Sequence, residues 1–334
     1  MNILTKTNTL TRDEWLAFRK QGIGGSDAGV IMGASKWKSP FDLWADKRGL
    51  IPEQASNAAM EWGNALESVV AERYAVEYGQ AVVEWPVMLQ GEHPWQLANL
   101  DYVIVEPSAK YPAGKVTLDE NLDPESILAI LEIKTAGIAT RSNLADWEDG
   151  QFPDTYFWQV AHYSAVTGIR QAVIAALIGG QGLVVRDVMI DDEDVERLTG
   201  FEANFWESVE IGIEPELWGR ESELETLKAI YPESQPKTVE VDEFAADLVS
   251  EYRRLKAEQE DIETRLLTVR GQLVQLAADA DTVTHNDEVL FTYKSSKPGE
   301  TFDAKALKEA DPEVYARYVK PKAGFRTLRI KGAE

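Results

Sequence analysis

Residues 127–135 read ILAILEIKT, an apolar run that ends on a carboxylate and an amine placed two apart, Glu132 and Lys134. Strand geometry sends alternate side chains to opposite faces, so both charges share one face. A strand this apolar is buried, and two charges on one buried face need a purpose or a partner. Similar runs lie at 81–89, 95–105, 172–178 and 183–190. A helix over 154–167, stopped by Gly168, falls between the 127–135 run and the one at 172–178. Strands interrupted by one long helix imply an α/β sheet with a crossover helix.

Working outward, Thr11 with Glu14 forms a capping box that starts a helix over 11–20. The segment 22–33, GIGGSDAGVIMG, reads as a glycine-rich turn, and 40–49 as a helix with a proline start and a glycine stop. Residues 58–78 give the longest helix of the first half, ended by Gly79. An acidic outer helix is expected over 191–211 and a proline-containing linker over 213–237. From 242 to 278 the residues Phe244, Leu248, Tyr252, Leu255, Ile262, Leu266, Val269, Leu273 and Leu276 recur at steps of three, four or seven. That spacing predicts a long amphipathic helix that packs on a partner helix, on the body or on another subunit. Short strands around 289–293 and 327–330 and a helix near 304–309 complete the chain. The division expected is 1–212, the linker, and 238–334.

Composition limits the chemistry. The 334 residues contain no cysteine, which excludes disulfides, thiolate zinc sites and cysteine-held iron–sulfur clusters, and three histidines leave little for a histidine metal site. Lys and Arg number 34 against 57 Asp and Glu, a net charge of −23 that argues against indiscriminate coating of nucleic acid. Basic side chains collect in residues 1–50 and 281–334, so a narrow cationic channel in an acidic body is compatible with this balance. There is no apolar run long enough to span a membrane and no signal-peptide core, so a cytoplasmic protein is expected.

Asp101, in ANLDYVIV, sits beside the preceding strand. If the two strands are neighbours, Asp101 and Glu132 approach closely enough to share a hard cation, magnesium or manganese, with Lys134 beside them. Such a site suits phosphodiester hydrolysis. The same spacing equally serves a structural ion pair with Lys134.

Asp101 followed by Glu132-x-Lys134 resembles the PD-(D/E)XK nuclease signature, with Leu100 where proline is common. The ordered set Trp15 and Arg19, GIGGSDAGVIMGASKWKSPFDLW at 22–44, EWGNALE at 61–67, Asp101, LEIKT at 131–135 and QVAHY at 159–163 is more specific. It resembles the YqaJ-like viral recombinase family and, more distantly, the phage lambda exonuclease group. The resemblance implies a restriction-endonuclease-like core, a central mixed sheet flanked by helices, with a C-terminal long helix and a small α+β extension. It further implies Asp101, Glu132, Lys134, Gln159 and Tyr163 as catalytic residues, and Glu67, Asp101, Glu132 and the Ile133 carbonyl as ligands of Mg2+ or Mn2+. Arg19 and Ser26 match positions that hold a DNA 5′-phosphate. Implied too are a cytoplasmic, phage- or prophage-encoded exonuclease that digests duplex ends 5′ to 3′ to leave a 3′ overhang, a single-strand annealing partner of RecT or Red-beta type, and a ring-shaped homo-oligomer. The alternatives are a structure-selective endonuclease and a non-catalytic DNA-end-binding protein. Asp119, Glu120, Asp123 and Glu125, in the long 106–126 segment, are rival acids for the place of Asp101.

Overall fold

The computed structural model describes residues 1–53, 57–137, 146–320, 324 and 326–331, which form two compact units, Met1–Tyr231 and Pro232–Glu334. In the first, β1 (Asn2–Lys6), β3 (Val87–Gln90) and β4 (Leu97–Ala98) make a small antiparallel sheet. A six-stranded mixed sheet holds β2 (Ala81–Glu84), β5 (Tyr102–Val105), β6 (Lys115–Leu118), β7 (Ile127–Ala136), β8 (Gln171–Ile178) and β9 (Gly182–Met189) in the order β6-β2-β5-β7-β8-β9. β7 runs antiparallel to β5 and parallel to β8, with α5 (Asp154–Thr167) as the crossover that a parallel pair requires. The α/β class and the central crossover helix are therefore as expected.

Two helices cover β7 from opposite sides. Val160, Ala161, Tyr163 and Val166 of α5 pack against Ile130, Ala172 and Ile174. Val70, Ala71, Tyr74 and Ala75 of α4 (Ala58–Tyr78) pack against Ala129, Leu131 and Ile133. Even-numbered residues of β7 thus face α5 and odd-numbered ones face α4, which decides where the two charges go.

Two expected strands each divide. Pro86, which has no N–H for a ladder, ends β2 and lets the chain enter the small sheet as β3. The 95–105 run divides likewise, and Asn99, Leu100 and Asp101 carry the chain from β4 to β5. A third difference is at 22–33: beyond Gly24 this is a buried helix, α2 (Gly25–Ile31), which follows α1 (Arg12–Arg19). Its glycines serve close approach rather than flexibility. A Cβ on Gly25 would stand 2.4 Å from Tyr163 Cε1, and one on Gly29 3.0 Å from Thr155 Cα, so only glycine lets α2 lie against α5.

The linker expectation is corrected as well. Residues 221–230 form α7 (Glu221–Ile230), which follows α6 (Asp192–Ile211) and docks on α3 (Pro40–Lys47). Buried Asp42 accepts from the Ser39 amide at 2.9 Å and from the hydroxyls of Ser222 and Thr226 at 2.6 Å each. The Arg220 guanidinium donates to the Lys38 carbonyl at 2.7 Å. These polar anchors hold an acidic, weakly apolar segment that pattern reading assigns to solvent. Asp42→Ala strands two hydroxyls and a backbone amide, so a loss of about 2 kcal/mol or more is expected in urea unfolding of the chain.

The second unit contains α8 (Glu243–Ala277), the hairpin of β10 (Thr282–His285) and β11 (Glu288–Thr292), α9 (Ala304–Ala310) and α10 (Pro312–Tyr318). Asp311 caps α10 ahead of Pro312, an N-terminal signal not used in the sequence reading. The strand expected at 327–330 is absent; that stretch finds no strand partner among the described residues.

Candidate active site

The β7 register places Glu132 and Lys134 on the α5 side of the sheet. Glu132 is fully buried, and its Oε1 is ion-paired with the Lys134 amine and accepts from Gln159 Nε2 at 2.5 Å. The same Gln159 nitrogen lies 2.9 Å from the Tyr163 hydroxyl, so the pair one helical turn apart on α5 faces the acid as one group. The Lys134 amine stands 5.1 Å from the centre of the Tyr156 ring. Asp101, just before β5, accepts from the Ile133 amide at 3.0 Å, which fastens it to the strand that carries Glu132. The two carboxyl groups are close enough that each acts on the charge of the other.

Electrostatics follow from this crowding. Burial, then the neighbouring Asp101, pushes the Glu132 carboxyl upward. Burial also raises Asp101, opposed by Lys134 and the Ile133 amide. Burial disfavours charge on Lys134, yet Glu132 and Asp101 outweigh it and keep the amine protonated. Tyr163 is held neutral by burial. Glu132 Oε2 is buried without a hydrogen-bond partner. An orphaned carboxylate oxygen beside a second carboxylate fits a hard cation held by oxygen ligands.

Glu67 is placed differently. It lies on α4, which covers the face of β7 opposite to Glu132, and it shares a smaller cavity with Asp101 and Glu84. Burial, then Asp101, pushes its carboxyl upward. The expected three-carboxylate set is therefore not assembled: among the described residues no group of three Asp, Glu or His side chains is arranged to hold a metal. Asp101 and Glu132 form the core of any such site, with Glu67 approaching from the other face.

The second half of the site comes from α1 and α2. An Arg19 nitrogen donates to Ser26 Oγ at 3.1 Å and stands 3.8 Å from Asp27, while the guanidinium lies 5.0 Å from the centre of the Trp15 ring. Asp27 accepts from the Gly24 amide at 3.0 Å and from the nearly buried Lys47 amine at 2.7 Å. Despite burial, Lys47 and then Arg19 hold its carboxyl below the ordinary range. The acid is thus spent on the turn, and Arg19 keeps cationic character toward the open side. Arg19, Ser26, Asn99, Asp101, Gln159 and Tyr163 line one cavity of about 190 Å³.

Residues 14–170 match the YqaJ-like viral recombinase domain. The chain is 32% identical to the YqaJ protein of Bacillus subtilis (strain 168) over 338 residues, covering 98% of this chain and 97% of that one. It belongs to the YqaJ family. Among solved structures, an alkaline exonuclease from Laribacter hongkongensis aligns at 20% identity and TM-score 0.47, over 60% of this chain and 94% of that one. A phage-related exonuclease from Haemophilus somnus aligns at 14% identity and TM-score 0.39, over 57% of this chain and 95% of that one.

Three of the four rival acids of this YqaJ-family chain are engaged elsewhere. Asp119 accepts from Lys110 at 2.5 Å and from the Tyr111 hydroxyl at 2.6 Å, Glu120 binds Lys6 at 2.7 Å, and Asp123 caps the turn before β7. Several positioning groups escaped the sequence reading. Lys47 reads as a solvated helix end, yet it neutralises Asp27. With its amide turned so that the oxygen faces α1, Asn99 accepts from Trp15 Nε1 at 3.0 Å, joining α1 to the strand ahead of Asp101.

His162, beside Tyr163, has both ring nitrogens on acceptors: Nδ1 lies 2.6 Å from Glu202 and Nε2 2.9 Å from the Leu97 carbonyl. Burial alone would lower its pKa, but Glu202 outweighs burial and raises it, so the ring is an imidazolium tying α5 to β4 and α6. A raised folded pKa makes this contribution complete below the unfolded value, about 6.5, and lost as pH rises through the folded value. The stability difference between the native chain and His162→Gln should therefore be largest at pH 6 or below and shrink on the alkaline side in thermal melts. A difference that grows with pH would show a neutral ring.

Proposed function

We propose that this YqaJ-family protein is a divalent-cation-dependent deoxyribonuclease that digests linear duplex DNA from the 5′ end and leaves a 3′ single strand. The observation that carries the reading is one cavity lined both by Asp101 with its Glu132-bonded neighbour Gln159 and by the Arg19–Ser26 pair. Acidic groups that demand a cation and a guanidinium suited to a terminal phosphate then serve one bound strand.

Asp101, Glu132 and the Ile133 carbonyl would hold Mg2+ or Mn2+, with Glu67 contributing from α4. When bound, the cation supplies charge neutralisation at the scissile phosphate and activation of the attacking water. Lys134, protonated in this setting, donates to phosphate oxygen and offsets the developing negative charge rather than acting as a base. Gln159 and Tyr163 stay neutral and fix the orientation of Glu132. Arg19 and Ser26 anchor the 5′-phosphate. A net charge of −23 with the guanidinium inside the cavity restricts DNA to that opening, in keeping with duplex ends as the ligand, a ring of subunits around them and a RecT- or Red-beta-type annealing protein as the receiver of the product.

The test is nucleotide release from 5′-phosphorylated linear duplex, 5′-hydroxyl duplex and covalently closed circles, with Mg2+, Mn2+ or EDTA. Release is expected from linear DNA alone, starting at the 5′ label, and to stop in EDTA. Nicking of closed circles would establish an endonuclease, and digestion in EDTA would remove the cation. Arg19→Ala should reduce the preference for phosphorylated over hydroxyl ends by about tenfold or more, the worth of a charge-assisted bond. An unchanged ratio would leave Arg19 as a mere partner of Ser26 and Asp27.

A further inference from the structure

The second unit carries an interface that this nuclease reading does not use. Helix α8 is 35 residues long, about 50 Å, and the described residues of its own unit leave one stripe of it uncovered. Leu248, Leu255, Ile262, Val269 and Leu276 recur every seventh residue, and Tyr252, Gln259, Leu266 and Leu273 follow the first four of them by four. The eight apolar members are 39–73% exposed. A period of 3.5 rather than 3.6, sustained over four heptads, is the signature of a supercoiled partner helix, whereas a helix resting on a globular body presents a wider stripe. Arg253, whose guanidinium reaches the Lys331 carbonyl, lies off this seam, so the chain's own last described residues leave it free.

The charges beside the seam select the partner. With Tyr252, Gln259, Leu266 and Leu273 at position a, Glu251, Glu258 and Arg265 occupy g, and Lys256, Glu263 and Arg270 occupy e. In a parallel pair of identical helices each g meets the e of the next heptad on the partner. Glu251 then attracts Lys256, but Glu258 faces Glu263 and Arg265 faces Arg270. In an antiparallel pair g meets g and e meets e. The register that sets Leu266 across from Leu255 of the second copy, and Leu273 across from Leu248, brings Glu258 to Arg265 and Lys256 to Glu263. Two-fold symmetry makes each contact twice. Sliding by one heptad in either direction sets Glu258 against itself or Arg265 against itself. Arg254 already bridges Glu251 and Glu258 on one helix, so that edge is ordered before any pairing.

We propose that α8 pairs with α8 of a second copy of this chain as an antiparallel two-stranded coiled coil in that register. The contact is isologous and closed, which joins chains in twos whatever the first unit does.

The chain has no cysteine, so introduced thiols report alone. Full-length Leu248→Cys and Leu273→Cys proteins, mixed and oxidised, should yield the mixed disulfide, while Leu273→Cys by itself should not cross-link. In sedimentation of the full-length chain, Lys256→Glu with Arg265→Glu creates four like-charge contacts and should weaken association by about a hundredfold or more. Adding Glu258→Arg and Glu263→Lys restores every pair and should restore the native mass, with circular dichroism verifying that α8 stays helical throughout. Cross-linking of Leu273→Cys alone would establish a parallel pair and overturn the proposal. So would a native chain that sediments as a monomer, or a mass insensitive to the first two substitutions.

Discussion

Lys134→Ala is expected to slow phosphodiester cleavage by about 10²- to 10³-fold in single-turnover assays while duplex-end binding in filter assays stays within a few-fold of native. The amine is the fixed cation beside Glu132 and Asp101, 5.1 Å from the centre of the Tyr156 ring. In the proposed reading binding affinity would come largely from phosphate contacts such as Arg19, which Lys134→Ala leaves in place, so the loss should appear in the chemical step. Lys134→Arg should not rescue, because a larger planar guanidinium cannot take the place of a compact ammonium beside the fully buried Glu132. Lys134→Met, which keeps the aliphatic stem, separates lost charge from lost packing and should be as inactive as the alanine variant. Native cutting by Lys134→Ala would return this lysine to a structural ion pair, the reading that its spacing from Glu132 equally allows.

The parts of this arrangement that sequence made legible are those governed by one local rule. Period-two alternation puts Glu132 and Lys134 on the same face whatever the surrounding fold. Glycine stops mark the ends of the helices over 58–78 and 154–167 without reference to their partners. What escaped depends on contacts distant in the chain. Nothing near Lys47 says that Asp27, twenty residues earlier, is its partner, and nothing in 213–231 says that Asp42 is the anchor of α7. The helix within 22–33 is hidden for a related reason: glycine suggests freedom locally, but at Gly25 it answers to the ring of Tyr163, more than a hundred residues away. Glu67 sits on a well-marked helix, and only the side of the sheet that α4 covers tells that it approaches the two acids from the face opposite to Gln159 and Tyr163.

Glu132→Gln separates stability from activity, and the two should move in opposite directions. The native carboxyl is fully buried, leaves Oε2 without a partner and faces Asp101, so as a carboxylate it is a cost to the folded chain. Glutamine keeps the shape. Its oxygen accepts from Lys134 and Gln159, and its amide nitrogen donates toward Asp101, giving the orphaned position a partner. A carboxyl whose folded pKa is raised destabilises progressively as pH climbs from its unfolded value, about 4.3, to its folded one. The gain in melting temperature should therefore be absent near pH 4 and complete on the alkaline side. Cleavage should fall by about 10³-fold, since the proposed cation ligand and the partner of Lys134 are lost together. Added Mg2+ should raise the melting temperature of the native chain through mass action and leave that of Glu132→Gln unmoved. A variant that is several kcal/mol less stable, on the scale of about 3–5 kcal/mol for breaking a buried pair, and that still responds to Mg2+ would make Glu132 an anchor of the sheet and would move the cation elsewhere.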